Sequence, residues 1–214
     1  MLEQLRKDVW KCNLELTKYK LVVMTSGNVS GRDPETGYVV IKPSGYTYEK
    51  LTPEDMVIVD LDGKVIEGHL RPSTDTETHL YVYAHRPDIC GMVHTHSTYA
   101  STYAVLGEPI PAVLTTIGMI GGEVPLGGFV PIGGKEIGEE IVAKIGDRLA
   151  IVMQNHGVFT IGKDAFQATK MAVEVEEIAK ITYFASLRGK PIPLSENSLK
   201  RMVELYREEY GQVS

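Results

Sequence analysis

Leu2, Leu5, Val9, Asn13 and Leu16 recur at three- and four-residue steps, with Glu3, Arg6, Lys7, Asp8 and Lys11 between them. That period predicts an amphipathic first helix running to about Lys18. A short apolar run, Leu21 to Met24, leads into residues 25–31, whose glycines and small hydroxyl residues read as a loop. Tyr38 to Lys42 reads as a strand closed by a second small-residue loop, Pro43-Ser44-Gly45. Met56 to Asp60 and Lys64 to Ile66 flank Leu61-Asp62-Gly63, and an Asp-Gly step between apolar runs predicts a hairpin. Ser73, Thr74, Asp75 and Thr76 are all N-cap residue types, so a helix is expected to open there and run to Arg86-Pro87.

Met92 to His96 has the β-rich look of a strand and is followed by a short helix over 97–105. Residues 107–134, dense in Gly, Pro and Ile, read as loops and short strands. Lys135 to Ile145 is amphipathic, Leu149 to Met153 is a fully apolar strand candidate, and Val158 to Ile161 resumes as a strand after Gln154-Asn155-His156-Gly157. Asp164 can cap a long helix with Ala168, Met171, Ala172, Val175 and Ile178 inward, on which Glu174, Glu176 and Glu177 read as solvated charges. A last helix runs from about Ser195 to Tyr210. Strands mixed with helices, and no linker, repeat or low-complexity tract, predict an α/β chain in which 1–214 is one three-layer α/β/α domain.

Composition narrows the function. A net charge of −6 argues against a nucleic-acid binder, which ordinarily carries a basic patch. Cys12 and Cys90 form no CxxC pair, so neither a disulfide framework nor a cysteine-rich metal site is indicated, and a reducing, cytoplasmic setting fits. The N-terminus lacks the apolar core of a signal peptide, and no stretch approaches the roughly 18 apolar residues of a membrane span, so no membrane partner is expected.

The chemistry concentrates at the histidines. His94 and His96 alternate along a strand and so share a face, and His156 arrives where another strand breaks. Three neutral imidazoles with one open position suit a catalytic divalent ion, zinc above all. Asp75 is either a fourth ligand or an acid/base beside the metal. The small-residue loops suit an anion, with Asn28, Lys42, Ser44, Gly45, Ser73 and Thr74 as phosphate candidates. A cupin-type dioxygenase also uses His-x-His, but the glutamate expected a few residues on is absent, since 97–107 contains no acid.

Thr25-x-Gly27-Asn28-Val29-Ser30, Lys42-Pro43-Ser44-Gly45, Pro72-Ser73-Thr74-Asp75-Thr76, Val93-His94-Thr95-His96-Ser97 and Asn155-His156-Gly157 together resemble the class II aldolase/adducin family in order and spacing. The resemblance covers nearly the whole chain. Within the family the motifs look most like those of L-ribulose-5-phosphate 4-epimerases, on the strength of Lys42, Asp75-Thr76 and Tyr210-Gly211-Gln212; L-fuculose-1-phosphate aldolases, which usually have Glu where Asp75 stands, come next. The resemblance implies a mixed, largely antiparallel central sheet and a divalent metal, usually zinc, on His94, His96 and His156, with Asp75 as ligand or neighbour. It also implies a phosphate pocket of Gly27, Asn28, Ser44, Gly45, Ser73 and Thr74 with Lys42 beside it. Tyr210 matches an acid/base that reaches a neighbouring subunit's site in a cyclic homotetramer. The implied reaction on a small phosphorylated sugar is a retro-aldol split of C3–C4 and re-formation with inverted C4; the alternatives are cleavage of a ketose 1-phosphate and a non-catalytic adducin-like module. One departure stands out. Where epimerases of the best-known type carry Asp in a Thr-Thr-His-Ala-Asp segment, this chain has Thr115 to Gly122, with no titratable side chain.

Overall fold

The structure, a computed structural model, describes residues 1–209. Its strands are β1 (Asn28–Arg32), β2 (Val39–Ile41), β3 (Val57–Val59), β4 (Val65–Glu67), β5 (Gly91–Thr95), β6 (Leu126–Gly127), β7 (Ala150–Met153) and β8 (Gly157–Gly162). They form one eight-stranded sheet in the order β4-β3-β2-β1-β5-β8-β7-β6, antiparallel throughout except for the β6–β7 pair. The helices are α1 (Glu3–Lys18), α2 (Thr76–His85), α3 (Thr98–Leu106), α4 (Glu136–Ile145), α5 (Ala165–Ser186) and α6 (Glu196–Glu208).

Period-two alternation splits the sheet between two helical layers. On one face Val57, Val59, Met92, Ile151, Phe159 and Ile161 pack against Leu80, Val82 and Tyr83 of α2 and Ile137, Ile141 and Ile145 of α4. On the other, Val29, Val40, Ile58 and Val93 meet Val9, Cys12 and Leu16 of α1 and Ala168 and Ala172 of α5. Val152 and Val158 continue that face toward Ala100 and Ala104 of α3 and Met171 and Val175 of α5. The three-layer, largely antiparallel α/β expectation therefore holds. No helix among the described residues is long and apolar enough to cross a membrane.

Two local expectations change. Residues 28–31 are not loop but strand β1, paired with β2 on one side and β5 on the other. Tertiary packing overrides the weak propensity of Asn, Ser and Gly here. Val29 is buried in the core, Ser30 satisfies buried polar groups, and a Cβ on Gly31 would press on Val9 and Leu5, so the missing side chain lets α1 lie close. Glu176 is not a solvated charge: its two oxygens accept the N–H groups of Tyr99 and Ala100, each at 2.9 Å. These are free donors of the first turn of α3, whose N-cap residue Ser97 makes no side-chain cap. A carboxylate on α5 thus pins the helix that begins two residues after His96. Glu176→Ala is expected to lower stability by about 1–2 kcal/mol in urea unfolding, the scale of a lost cap, while Glu177→Ala on the same helix changes it by less than about 0.5 kcal/mol.

Candidate metal centre

Register brings the histidines together. Asn28 of β1 lies opposite His94 of β5, and His94 lies opposite Phe159 of β8. All three therefore share the face that α2 covers. His96 follows directly after β5. His156 comes from the tight turn between β7 and β8, where Asn155 takes a left-handed backbone (φ 55°) and its N–H donates to Ala104 O at 3.0 Å. Asn tolerates that conformation better than most residues.

The ligand atoms of His94, His96 and His156 all lie within 4.8 Å of one another. His94 is buried; its Nδ1 sits 3.0 Å from the Val158 carbonyl, which only accepts, so Nδ1 carries the proton and Nε2 presents a lone pair. That Nε2 converges on Nε2 of His96 at 2.9 Å. Nδ1 of His156 is buried with no hydrogen-bond partner, so the polypeptide leaves that nitrogen unsatisfied. The His94 ring stacks on Phe159 at 4.1 Å between centroids, which fixes its plane. Burial pushes His94 down to about 3 and holds His96 and His156 below the ordinary imidazole value, so all three are neutral, as metal ligation requires. Convergent, neutral imidazoles, the first locked in its tautomer, fit a divalent cation.

A cavity of about 240 Å³ opens over the trio. It is lined by every sequence candidate within the described residues: Gly27, Asn28, Lys42, Ser44, Gly45, Ser73, Thr74, Asp75, His94, His96 and His156. Thr25, Ser26, Pro43 and Ile132, not among those candidates, line it too. Asp75 lies beside the three-histidine cluster rather than in it, and its Oδ2 accepts from Asn28 Nδ2 at 2.6 Å. Burial opposes its ionisation, but on the acid side attraction to protonated His94, His79 and His156, together with the Asn28 amide, outweighs that, so the carboxyl sits below its usual range. Tyr210 lies outside the described residues. None of residues 115–122 lines the cavity; Thr115–Met119 form a 3-10 turn beneath α6, where a Cβ on Gly118 would meet Met202 backbone.

His79 is a site neighbour that sequence reasoning missed. It is fully buried on α2, with Nδ1 2.7 Å from Ser30 Oγ, which in turn lies 2.8 Å from the Tyr83 hydroxyl. Burial pushes it down to about 4, against the pull of Asp75. One turn of helix separates it from Asp75, the only signal the sequence offered.

Two expectations follow. His79 and His94 bind protons in the unfolded chain near pH 6.5 but in the folded protein only near 4 and 3, so folding releases protons between those limits. Their stabilising contribution is complete above about pH 6.5 and is lost as pH falls through the folded values, on the order of 2 kcal/mol for His79 between pH 6.5 and 4.5. Urea midpoints of chelator-treated protein are expected to fall across that window, and less steeply in His79→Gln. Separately, a Cβ at Gly157 would meet Thr95 O at 2.5 Å and His96 Cδ2 at 2.7 Å. Gly157→Ala is expected to weaken metal binding on the order of 10- to 100-fold in a chelator competition, while Gly189→Ala, whose Cβ meets nothing within 4 Å, leaves it unchanged.

Comparison with known proteins places this arrangement. Residues 7–183 match the family described as Class II Aldolase and Adducin N-terminal domain. The chain is 43% identical over 196 residues to L-ribulose-5-phosphate 4-epimerase UlaF of Salmonella paratyphi C (strain RKS4594), covering 86% of each chain. Among solved structures, an L-fuculose 1-phosphate aldolase superposes with a TM-score of 0.91 at 31% identity, covering 95% of this chain and 96% of that one. The L-fuculose-1-phosphate aldolase of Thermus thermophilus shares the fold, with a TM-score of 0.75 at 24% identity over 86% of this chain and 95% of that one. The sheet that carries the histidine trio and its cavity is thus a known architecture, and the chain belongs to the class II aldolase and adducin family.

Proposed function

We propose that the chain is a metal-dependent sugar-phosphate epimerase that interconverts L-ribulose 5-phosphate and D-xylulose 5-phosphate by breaking and re-forming the C3–C4 bond. The observation that carries the reading is the single cavity in which a three-imidazole cluster, a low-pKa carboxylate and two glycine loops converge. The 43% identity to a relative named for that reaction supports the choice of substrate. On this reading His94, His96 and His156 would hold a divalent metal, zinc by preference, which would supply Lewis-acid stabilisation of developing negative charge.

The remaining work falls to the polypeptide. Gly27, Asn28, Ser44, Gly45, Ser73 and Thr74, with Lys42 behind them, hold the phosphate and so fix the far end of the sugar. Asp75, ionised because its pKa lies below the usual range, takes or returns the proton of a substrate hydroxyl. Its carboxylate is steadied by Asn28 Nδ2, which also donates to Ser73 Oγ at 3.1 Å, so acid/base group and phosphate loop move together. Tyr210 is the second acid/base, offered to the site of an adjacent subunit in a cytoplasmic homotetramer, with 1–214 acting as one domain.

A second reading has its own support. Residues 115–122 carry no titratable side chain and line no part of the cavity, and one-sided proton transfer suits an aldolase that cleaves L-fuculose 1-phosphate or a similar ketose 1-phosphate. An NMR time course of the zinc-loaded protein separates the two. D-Xylulose 5-phosphate is expected from L-ribulose 5-phosphate. Dihydroxyacetone phosphate from L-fuculose 1-phosphate, with L-ribulose 5-phosphate untouched, would overturn the epimerase in favour of the aldolase, and no turnover of either would favour a binding module.

A further inference from the structure

The geometry points to Tyr48 and Lys42 as a brace behind the phosphate pocket: positioning residues that hold carbonyl oxygens of both glycine loops away from the anion. This rests on the reading of the cavity as a phosphate site and adds Tyr48, which lines no part of it. A phosphate dianion needs donors and is repelled by carbonyl oxygens. A loop that binds it must therefore turn its N–H groups inward and satisfy its carbonyls elsewhere.

Two side chains hold these carbonyls. The Tyr48 hydroxyl donates to Ser26 O at 2.9 Å and Gly27 O at 3.0 Å, sharing its proton between them. Lys42 Nζ donates to Thr25 O at 3.1 Å and Pro43 O at 3.4 Å. The two residues also hold one another, the ammonium lying 4.7 Å from the centre of the Tyr48 ring. Four loop carbonyls are thereby committed to one buried pair, while no hydrogen bond of the described fold uses the N–H of Gly27, Gly45 or Thr74. Gly27 and Gly45 both take positive φ, 73° and 63°, the backbone that cups an anion.

Lys42 is 1% exposed, and among the described residues no carboxylate pairs with it. A buried cation without a counter-ion is costly, and an anion in the adjoining pocket would offset that cost. Burial alone pushes its pKa down to about 8. The brace thus orients the loops and lends them positive charge from behind.

Tyr48→Phe keeps the ring under Lys42 and removes only the donor to Ser26 and Gly27. Calorimetric titration of the zinc-loaded protein with inorganic phosphate is expected to show about tenfold weaker binding in this variant, with KM for L-ribulose 5-phosphate raised by a similar factor, kcat within about twofold and metal content unchanged. Lys42→Met is the second variant, also expected to lose phosphate affinity. The double variant is expected to be no weaker than the weaker single one, because the two side chains act as a unit. Phosphate affinity equal to wild type in either folded single variant, or additive losses in the double variant, would overturn the brace. Wild-type protein that binds no phosphate would overturn the phosphate-site reading and the brace with it, whereas phosphate binding without turnover would fault the proposed reaction and leave the brace standing.

Discussion

The candidate site depends on the register that sets Asn28 opposite His94 and His94 opposite Phe159 across three adjacent strands. Side chains in a sheet alternate between faces, so a slip of one residue would exchange His94 for Val93 and bury the cavity-facing imidazole against α1 and α5. The apolar pattern forbids that slip. Met92 belongs to the face under α2, Val93 to the opposite face, and both are fully committed to their cores. The same constraint places Phe159, which stacks on His94 and stands edge-on to both His156 and His79. One buried ring thereby touches three of the histidines that define the site and its surroundings.

Burial does the electrostatic work with two outcomes. It keeps the imidazoles neutral, hence ready to ligate, and it also lowers the pKa of Lys42 but only to about 8, so that at neutral pH Lys42 is still a cation with carbonyls and a ring for company. Only Asp75 is driven toward its charged form, and it is the group with an amide donor aimed at it. A neutral ligand set, one ionised carboxylate and one ammonium without a carboxylate partner make a cavity that favours a cation at one end and an anion at the other. That polarity suits a phosphorylated ketose far better than an uncharged sugar.

Much of this was legible in the sequence, and what was not has a physical cause. The helices α1, α4, α5 and α6 announced themselves because each presents one apolar stripe, and the Asp62-Gly63 hairpin because its turn demands those residues. The cavity residues were legible from the His-x-His alternation and the small-residue loops, Gly27 only through the family resemblance. β1 was not, since Asn28, Ser30 and Gly31 are strand residues only by virtue of their neighbours on both sides. Glu176 and Tyr48 were not, because each acts on a backbone segment distant in sequence, Tyr99 and Ala100 for one and Ser26 and Gly27 for the other. A polar side chain that satisfies distant main chain leaves no periodic trace.

The two ends of the cavity are mechanically one piece. A Cβ on Gly27 would meet the backbone carbonyl of His94 at 2.9 Å, so the 25–27 loop lies directly on the strand that carries the first histidine of the cluster. Asn28, the next residue, is both the strand partner of His94 and the donor to Asp75. Gly27, Asn28 and His94 are therefore set by adjoining positions of one β1–β5 pairing, and Asp75, at the start of α2, is tied to that pairing through the Asn28 amide. On the proposed reading, a substrate held at its phosphate would be presented to the histidine cluster and Asp75 from one rigid piece, and binding energy gained at the remote phosphate would serve to place the reacting carbons. Epimerisation and aldol cleavage share that placement. They differ only in how the aldehyde half is met after the bond parts, so the choice between them falls outside the rigid pairing, on groups that approach the open side of the cavity.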